Sequence, residues 1–503
     1  MSNDSNIELI KLVRITGMRE AELASLKAAG GTGWSRVMQT VASHEDLLSK
    51  GEKHTRQKAI QDPVHGAILL EPWELDVIST WEMLRLRFVM QLGPAHIVYP
   101  GATHTRFQHC LGTNFLAQKS IRVVNYCDDL EHVCFVPLSR LLDDYQQKIF
   151  RITALLHDVG HPPTSHTIEF ALKGAHDLDH LDLGESLILH SGLTDVLTRN
   201  DIEPQTVVDV LRRKSRDPVL ALLSEFLDNP FDIDKTDYLI RDAHYSGVQL
   251  GVFPAERVML TNRVVKDKTG RYIRGYMLKA FRSLESLVLS RNWMFSDLYL
   301  HHAVRLAEAM VSKATYFRIR EESLSKNECI GLFTRMTDAD LYRWLLESET
   351  EFIREYAARI RYRRLFKVVL SRPIAFFEDD TKSQFLKMLD EIQVLLEAEE
   401  ELDEEPGAAI IDVVYPEFGA NTLGKLPLLA GGEGIGLDIV KLEDTYEGRS
   451  LMQTLSRQES TIPSVRVYAS PEIAVKVHKK FNQLFPAREH VAYREDEYDM
   501  TET

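Results

Sequence analysis

Apolar positions recur every three to four residues along most of the chain, and this spacing predicts a mainly α-helical protein. Between about residues 59 and 320, the helical segments are separated by Pro, Gly and Asp or Asn turns. Later in the chain, two short runs rich in β-branched residues, Ala409–Tyr415 and Ser464–Tyr468, predict strands among further helices. The helices predicted before them include Trp73–Met90, Asn114–Tyr126, Pro218–Leu227 and Lys279–Ala314.

The hydrophobic pattern divides the chain into three parts. Residues 1–50 are predicted to form a helical extension, residues 51–325 an all-helical core, and residues 326–503 an α+β lobe. A length of 503 residues is enough for one large core with an appended lobe, or for two to three domains. The predicted fold class is therefore mainly α, with an all-helical core and a smaller α+β C-terminal lobe.

Composition narrows the class of protein. No stretch approaches the roughly 18–20 apolar residues of a membrane span, and Met1–Asn6 lacks the features of a secretory signal. The net charge of −15 argues against constitutive nucleic-acid binding. We therefore expect a cytoplasmic enzyme that binds neither membranes nor nucleic acid. The four cysteines form no CxxC pair and are predicted to be buried small residues in a reducing compartment, namely Cys110, Cys127, Cys134 and Cys329.

Four residues of metal-binding types are candidate ligands. His157 and Asp158 end an apolar helical stretch shortly before the helix-breaking Pro162. A neutral imidazole and a carboxylate together suit a divalent ion such as Mn, Fe, Zn or Mg. His109 and Asp234 are two further candidates, remote in sequence. The alternative for the central pair is a structural role in capping the helix break, but the two distal candidates favour a metal site.

The order His, His-Asp, Asp resembles the HD phosphohydrolases. Longer motifs make the chain similar to HD-type deoxynucleoside triphosphate triphosphohydrolases, both the sterile-alpha-motif/HD-type enzymes and their bacterial relatives. The resemblance covers residues 60–320 and continues more weakly beyond them. The motifs that carry it are Ile60–Gly66, Gln91–Gly93, Tyr99–His109, His157–His166, Asp232–Asp242 and Arg291–Arg305.

This resemblance implies a metal centre and a catalytic pair beside it. His166 and Glu169 are three residues apart, so they share one face of a helix, and in the family the corresponding pair lies at the reacting phosphate. A carboxylate next to an imidazole raises its basicity and fixes its tautomer. A structural His166 with a surface Glu169 is the alternative. The implied metal ligands are His109, His157, Asp158 and Asp234, and the implied catalytic residues are His161, His166, Glu169 and His180.

The resemblance also implies a pocket for a deoxynucleoside triphosphate. Fixed cations would bind the triphosphate, and polar side chains would bind the 3′-hydroxyl. Tyr238 would pack against C2′ and exclude a ribose, unless it serves only in helix packing. Arg291 would lie near the γ-phosphate, unless it is a surface residue. The implied substrate-binding residues are Gln91, Arg106, Lys235, Tyr238, Asp242 and Arg291, and whether His301, His302 or Arg305 also reaches the phosphates stays open.

The predicted function is metal-dependent hydrolysis of deoxynucleoside triphosphates to deoxynucleoside and inorganic triphosphate, with water attacking the α-phosphate. The resemblance further implies a homo-oligomer (dimer, tetramer or hexamer) with nucleotide activators, in which residues 326–503 serve oligomerisation or regulation. One alternative is another HD-type nucleotidase or phosphodiesterase, and a second is a nucleotide sensor with a vestigial site. The complete ligand set argues against the sensor. Base preference, the native metal and the oligomer size do not follow from the sequence.

Overall fold

The structure is a computed structural model that describes residues 3–49, 53–403, 405–415, 423–433, 435–459 and 463–488. Within these residues, helices dominate and three small sheets accompany them. The predicted fold class, mainly α with a smaller α+β region, is therefore confirmed. The predicted boundary at residues 50–51 lies outside the described residues, and the boundary at residue 325 stays a prediction.

The helices fall into two groups along the chain. The first group is α1 (Asn3–Thr16), α2 (Glu20–Ala29), α3 (Gly31–Ser49), α4 (Pro72–Ile78), α5 (Trp81–Arg85), α6 (Arg106–Val123), α7 (Asp144–Leu156), α8 (Glu169–His176), α9 (His180–His190), α10 (Gly192–Arg199), α11 (Pro204–Leu211), α12 (Pro218–Leu227), α13 (Ile233–Ser246), α14 (Ala255–Thr261) and α15 (Phe281–Met294). The second group is α16 (His302–Glu321), α17 (Lys326–Phe333), α18 (Asp338–Leu346), α19 (Glu351–Arg361), α20 (Asp379–Asp390), α21 (Ile392–Leu402), α22 (Tyr446–Glu459) and α23 (Ala474–Leu484).

The strands form small sheets at the edges of the helical body. They are β1 (Lys58–Asp62), β2 (Gly66–Leu70), β3 (Asn125–Cys127), β4 (Val136–Pro137), β5 (Asn262–Lys266), β6 (Tyr272–Met277), β7 (Lys367–Pro373), β8 (Ala409–Val414), β9 (Pro427–Gly432), β10 (Gly436–Lys441) and β11 (Ser464–Ala469). In the described residues, β1 pairs with β2, a six-stranded sheet has the order β10-β9-β6-β5-β3-β4, and a three-stranded sheet has the order β7-β11-β8. Strands from early and late parts of the chain thus share one sheet.

Helices α6, α7 and α13 carry the candidate metal ligands, and α6 packs against the other two. Helix α7 begins at the N-cap Asp143, whose carboxylate accepts a hydrogen bond of 2.7 Å from the backbone N–H of Gln146. Apart from Arg151, residues 149–156 are buried in the main core. The helix ends at Leu156, because the prolines that begin at Pro162 cannot continue it. His157 and Asp158 are therefore presented from a firmly packed helix end.

Two predicted long helices are interrupted in the structure. Thr80 splits the segment predicted at Trp73–Met90, because its hydroxyl caps α5 by accepting a hydrogen bond from the backbone N–H of Met83. The segment predicted at Lys279–Ala314 contains a π turn at Phe295–Tyr299 between α15 and α16. Strands β1 to β6 add short sheets to the part predicted to be all-helical. The two strands predicted later in the chain are confirmed as β8 and β11.

The C-terminal lobe packs a sheet of β7, β11 and β8 against α20, α21 and α23. Its core contains the stacked and edge-to-face rings of Phe377, Phe385 and Phe481. Strand β8 also packs against α16, which places this lobe beside the central helices. Among the helices described here, none has the length and apolar character needed to cross a membrane.

Candidate active site

A cavity of about 940 Å³ lies between the ends of α7 and α13, the side of α16, and β8. Such a volume is typical of pockets for small organic ligands. All of the predicted site residues line this cavity except His109 and Glu169, which contact lining residues from behind. The structure thus brings the predicted metal, catalytic and substrate-binding residues to one place.

Three segments that are remote in sequence meet at the metal-ligand residues. His109 Nε2 lies 3.1 Å from His157 Nε2 and 2.8 Å from Asp234 Oδ1. His157 Nε2 lies 3.6 Å from the same Asp234 oxygen. Asp158 places Oδ1 3.4 Å from His157 Nε2 and Oδ2 3.6 Å from His109 Nε2. Donor atoms of all four predicted ligands therefore converge.

Hydrogen bonds at Nδ1 of His109 and His157 determine that Nε2 is the nitrogen of each ring that faces the centre. His157 Nδ1 lies 2.9 Å from the carbonyl oxygen of Ala154, which can only accept a hydrogen bond, so Nδ1 carries the proton. His109 Nδ1 lies 2.7 Å from the carboxylate of Asp237 and carries the proton for the same reason. In the neutral rings, both Nε2 atoms then point lone pairs at each other and at Asp234. These lone pairs are satisfied either by a proton on Nε2 that is donated to Asp234, at 2.8 Å from His109, or by a metal ion bound between the two rings.

The charges around the centre favour a cation as well. Burial lowers the pKa of His109, but the carboxylates of Asp234 and Asp237 more than offset it and raise the pKa to about 10. The pKa of Asp234 is held well below its usual range, because hydrogen bonds from His109 and His157 outweigh the effect of burial. Two imidazoles with two carboxylates suit a divalent ion, so the residues present fit the metal that the sequence predicts.

Asp158 is also held in place by Arg106. The guanidinium donates to Asp158 Oδ2 at 2.6 Å and to Ser165 Oγ at 2.9 Å. Arg106 was predicted to bind phosphate, and it lines the cavity, but its side chain is only 4% exposed. In the structure, Arg106 therefore orients the predicted metal ligand Asp158, and its binding of phosphate stays a prediction.

A buried polar network behind His109 was not predicted from the sequence. Asp237 accepts from His109 and also contacts His65 Nε2 at 2.6 Å. Arg241 donates to Asp237 at 2.8 Å and to Asp62 at 2.8 Å. Such partners fix the tautomer of a metal-binding histidine and its ring orientation. The only sequence signal for Asp237 was its position three residues after Asp234 on the same helix.

Gly112 permits this network to form. A Cβ atom at this position would lie 1.9 Å from Asp237 Oδ1 and 2.5 Å from Arg241 Nη2. Any side chain would therefore push α6 and α13 apart. The absence of a side chain one turn after His109 lets the carboxylate of Asp237 reach its imidazole.

We expect Asp237→Asn to weaken metal binding by about 10- to 100-fold, because the amide cannot fix and polarise His109 as the carboxylate does. The dissociation constant would be measured by chelator competition. Asp62→Asn is the matched control, since Asp62 also binds Arg241 but does not touch His109. Equal weakening in both variants would show that Asp237 acts through Arg241 rather than through the imidazole.

The predicted catalytic residues form a second cluster beside the metal ligands. Glu169 accepts hydrogen bonds of 2.6 Å from both His166 Nδ1 and His180 Nδ1. The ring of His161 stacks on that of His180 at 4.2 Å and meets His166 edge-on at 4.7 Å. The alternative of a surface Glu169 is wrong, because its side chain is 19% exposed and bridges two imidazoles.

The three imidazoles of this cluster differ in charge. Burial, followed by the nearby Arg106, lowers the pKa of His161 well below its usual range, so this ring is neutral. Enclosure lowers the pKa of His166 too, but the adjacent Glu169 carboxylate outweighs it and the net shift is upward. The side chain of His166 is 65% exposed to the cavity. His166 is therefore an accessible ring that holds a proton more readily than a free histidine.

The opposite wall of the cavity carries polar residues that were predicted to bind the substrate. Asp242 accepts hydrogen bonds from His104 Nε2 at 2.8 Å and from the hydroxyl of Tyr299 at 2.6 Å. Tyr238 meets the ring of Tyr299 edge-on at 6.4 Å. Gln91 is buried, and its Oε1 has no hydrogen-bond partner in the described part of the chain. A buried acceptor of this kind calls for a donor such as a ligand hydroxyl.

The cationic residues occupy different positions in the cavity. Lys235 forms a 2.6 Å ion pair with Asp232, and Arg291 lies 5.3 Å from the ring of Phe295. Arg305 lines the cavity and donates to Asp412 at 2.6 Å. Of the residues left open in the sequence, His301 and His302 are not among those lining the cavity, so Arg305 alone of the three reaches it.

Comparisons with known proteins match the part of the chain that contains the candidate metal ligands. The family model described as the HD domain matches residues 106–242, which contain all four candidate ligands. A second model, described as the HD associated region, matches residues 277–495. An uncharacterized protein of Methanocaldococcus jannaschii is 31% identical over 360 residues, which are 71% of this chain and 69% of that protein. The chain belongs to the HD-domain family.

Other relatives of this HD-domain protein carry functional names. A deoxynucleoside triphosphate triphosphohydrolase SAMHD1 from Bos taurus is 24% identical over 462 residues, covering 82% of this chain and 74% of that protein. A SAMHD1 homolog of the same name from Dictyostelium discoideum is 28% identical over 356 residues, covering 67% and 65%. A crystal structure of a hypothetical protein from Aquifex aeolicus is similar with a TM-score of 0.64 at 26% identity, covering 85% of this chain and 100% of that one.

Family membership and the site together define the coarse activity. HD domains depend on a metal. In this HD domain, His109, His157 and Asp234 place ligand atoms within 4.8 Å of one another, and the two oxygens of Asp158 lie 3.4 Å and 3.6 Å from the two imidazoles. The chain is accordingly a hydrolase of the HD type.

Proposed function

We propose that this HD-domain protein hydrolyses deoxynucleoside triphosphates to deoxynucleoside and inorganic triphosphate. The observation that carries the proposal is the convergence of the His109 and His157 Nε2 atoms beside an accessible His166–Glu169 pair, in a cavity whose far wall offers groups for a sugar hydroxyl. The names of the relatives from Bos taurus and Dictyostelium discoideum support the same substrate class.

The reaction cleaves the bond between the α-phosphorus and the 5′-oxygen. A divalent ion held by His109, His157, Asp158 and Asp234 would supply positive charge at the phosphate and lower the pKa of water. The oxygen of the attacking water forms the new bond to phosphorus, and the 5′-oxygen departs with the electron pair of the broken bond. The departing oxygen takes up one proton, and the attacking water releases one.

His166 is the residue proposed to protonate the departing oxygen. The Glu169 carboxylate raises the pKa of His166, so the ring holds a proton more readily than a free histidine, as an acid catalyst needs. Glu169 fixes the ring through Nδ1, so Nε2, which lies 3.4 Å from His161 Nε2, is the nitrogen that would donate to the substrate. His180 shares the same carboxylate and helps to hold it. His161, which is neutral, completes the wall of this cluster and adds no charge next to the acid.

The remaining residues would bind the rest of the substrate. Lys235 and Arg291 would neutralise charge on the triphosphate, with Arg106 contributing from behind Asp158. Asp242 and Gln91 would bind the 3′-hydroxyl, whose O–H would donate a hydrogen bond to the orphan Oε1 of Gln91. Tyr238 would pack against C2′.

Product identification tests this function. The purified protein would be incubated with each of the four deoxynucleoside triphosphates, singly and in pairs, in Mn, Mg or Co. Release of inorganic triphosphate and the deoxynucleoside supports the proposal. Orthophosphate, or a linear product from a cyclic substrate, would indicate another HD-type reaction. Binding without turnover under all these conditions would indicate a nucleotide sensor.

We expect Tyr238→Ala to reduce the preference for dGTP over GTP, measured as the ratio of their kcat/KM values, by about 10- to 100-fold. Removal of the ring would open space next to C2′ for a ribose hydroxyl. Tyr238→Phe is the matched control, because it keeps the ring and should keep the preference. An unchanged ratio in Tyr238→Ala would show that this side chain does not exclude ribose.

Assembly and regulation stay predictions of the family resemblance. We propose a homo-oligomer that responds to nucleotide activators, with residues 326–503 contributing to assembly. Addition of one deoxynucleoside triphosphate to an assay of another, with the mass in solution recorded in parallel, would test both. A cytoplasmic location is likewise proposed from the sequence alone.

A further inference from the structure

The turn that carries His166 is backbone-strained. Thr164 and Ser165 are consecutive residues with φ of 56° and 59°, in the left-handed region that residues with side chains rarely adopt. His166 follows them directly, and His161 precedes them. Strain of this kind persists only when surrounding contacts impose it, so the position of the catalytic imidazole depends on whatever holds this turn.

A buried carboxylate from a distant part of the chain contacts the turn. Asp338, the first residue of α18, accepts the backbone N–H of Thr164 at 2.7 Å through Oδ1. Its other oxygen accepts the backbone N–H of Met90 at 3.0 Å. The same Met90 accepts a hydrogen bond of 2.6 Å from the hydroxyl of Ser165 through its carbonyl oxygen. The carboxylate of Asp338 therefore connects the strained turn to Met90, the residue directly before Gln91 in the cavity wall.

Arg85 holds the other side of the same turn. Its guanidinium is fully buried and donates to the carbonyl oxygens of Val159 at 3.0 Å and His161 at 2.8 Å. It also donates to the carbonyl oxygen of Met336, two residues before Asp338. Arg85 thus binds the first part of residues 159–164 and Asp338 binds the last residue, and both connect this segment to the start of α18. We name this pair the turn clamp.

Burial of the Asp338 carboxylate in the turn clamp disfavours its charged form. Desolvation raises the pKa of Asp338 to about 6, against hydrogen bonds from Thr164 and Met90 and the charge of Arg85 that favour ionisation. Asp338 is not needed to cap α18, because Thr337 and Asp340 already form a capping box. The Thr337 hydroxyl accepts the backbone N–H of Asp340, and the Asp340 carboxylate accepts the backbone N–H of Thr337 at 3.0 Å. The contacts of Asp338 instead point away from its own helix.

We propose that Asp338, together with Arg85, is a positioning residue that sets His166 for the proposed reaction from within the HD associated region. This inference rests on the proposed function for its catalytic consequence. The structural part of the inference, that Asp338 imposes the geometry of residues 159–166, is independent of the proposed function.

The test compares Asp338→Asn with the wild type. The amide keeps the shape of the carboxylate but directs an N–H group at one of the two backbone N–H donors, so half of the contact is lost. We expect kcat for the preferred deoxynucleoside triphosphate to fall about 10- to 100-fold, as for a small misplacement of a reacting group, while KM and the metal bound per chain change by less than about twofold. Amide exchange followed by mass spectrometry should be faster in peptides that cover residues 88–92 and 159–168.

Asp340→Asn is the matched control, because it weakens the cap of α18 without touching the turn. The proposal is overturned if both variants lose kcat to the same extent, or if exchange in the two peptides is unchanged in Asp338→Asn. If the wild type releases no triphosphate from any substrate, the proposed function fails. Faster exchange in Asp338→Asn alone would then still support the clamp, and unchanged exchange would overturn it.

Discussion

Asp234→Ala is expected to abolish metal binding and to lower turnover by about 10⁴-fold, an effect on the scale seen when a member of a catalytic unit is removed. Asp234 supplies the oxygen that lies 2.8 Å from His109 Nε2 and 3.6 Å from His157 Nε2. Without it, the two lone pairs lose the carboxylate that completes the cation site. Metal per chain by elemental analysis and triphosphate release would be measured on the same preparation.

The fold should survive this change, which makes the result interpretable. Helix α13 is capped by Asp232, which accepts the backbone N–H of Lys235 at 2.6 Å, and not by Asp234. The helical circular dichroism spectrum should therefore match that of the wild type. Asp195→Ala, at an exposed position of α10, is the surface control. Metal content and turnover that stay near the wild-type values would remove Asp234 from the metal site.

His166→Asn is expected to lower kcat by about 10²- to 10⁴-fold, the usual contribution of a general acid, while leaving the metal content unchanged. The ring lies on the open side of the cavity, so its loss does not create a buried void. His132→Asn is a matched control, because His132 forms a similar pair with a carboxylate, Asp129, at 3.0 Å on the surface. A kcat within about threefold of the wild type would exclude His166 as the acid.

The pH dependence of kcat follows from the partner of His166. Glu169 raises the pKa of His166 above the value that enclosure alone would give. The protonated ring is the proposed acid, so kcat should fall as the pH rises through this pKa. Glu169→Gln removes the raising charge, and the fall should therefore move to lower pH. If kcat of Glu169→Gln falls at the same pH as kcat of the wild type, Glu169 does not set the pKa that limits turnover.

Much of this site follows from local spacing in the sequence. Asp234, Tyr238 and Asp242 are four residues apart, so a helix places them on one face, and all three line the cavity. The end of α7 at Leu156, directly before His157, follows from the prolines a few residues later. The likeness of the motifs supplied the remaining partners, including the distant His109.

Other features depend on contacts that no local pattern reveals. Asp237 reaches His109 only because Gly112 lets two helices approach, and Asp338 lies 174 residues from Thr164 in the chain. The phosphate role predicted for Arg106 from its charge did not account for Asp158, its neighbour in space. The short strands β3 and β4 contain too few residues to show an alternating pattern. β3 is held by pairing with β5, and β4 by pairing with β3.

The π turn at Phe295–Tyr299 has a consequence for how related chains are aligned. A π turn contains one residue more than a regular helical turn, and one extra residue rotates everything after it by about 100° around the axis. Tyr299 thereby reaches Asp242, whereas a count of regular turns from Arg291 would aim it elsewhere. A relative that lacks the extra residue would present a different side chain to Asp242, so a single-residue gap at this place in an alignment would indicate a differently built wall of the cavity.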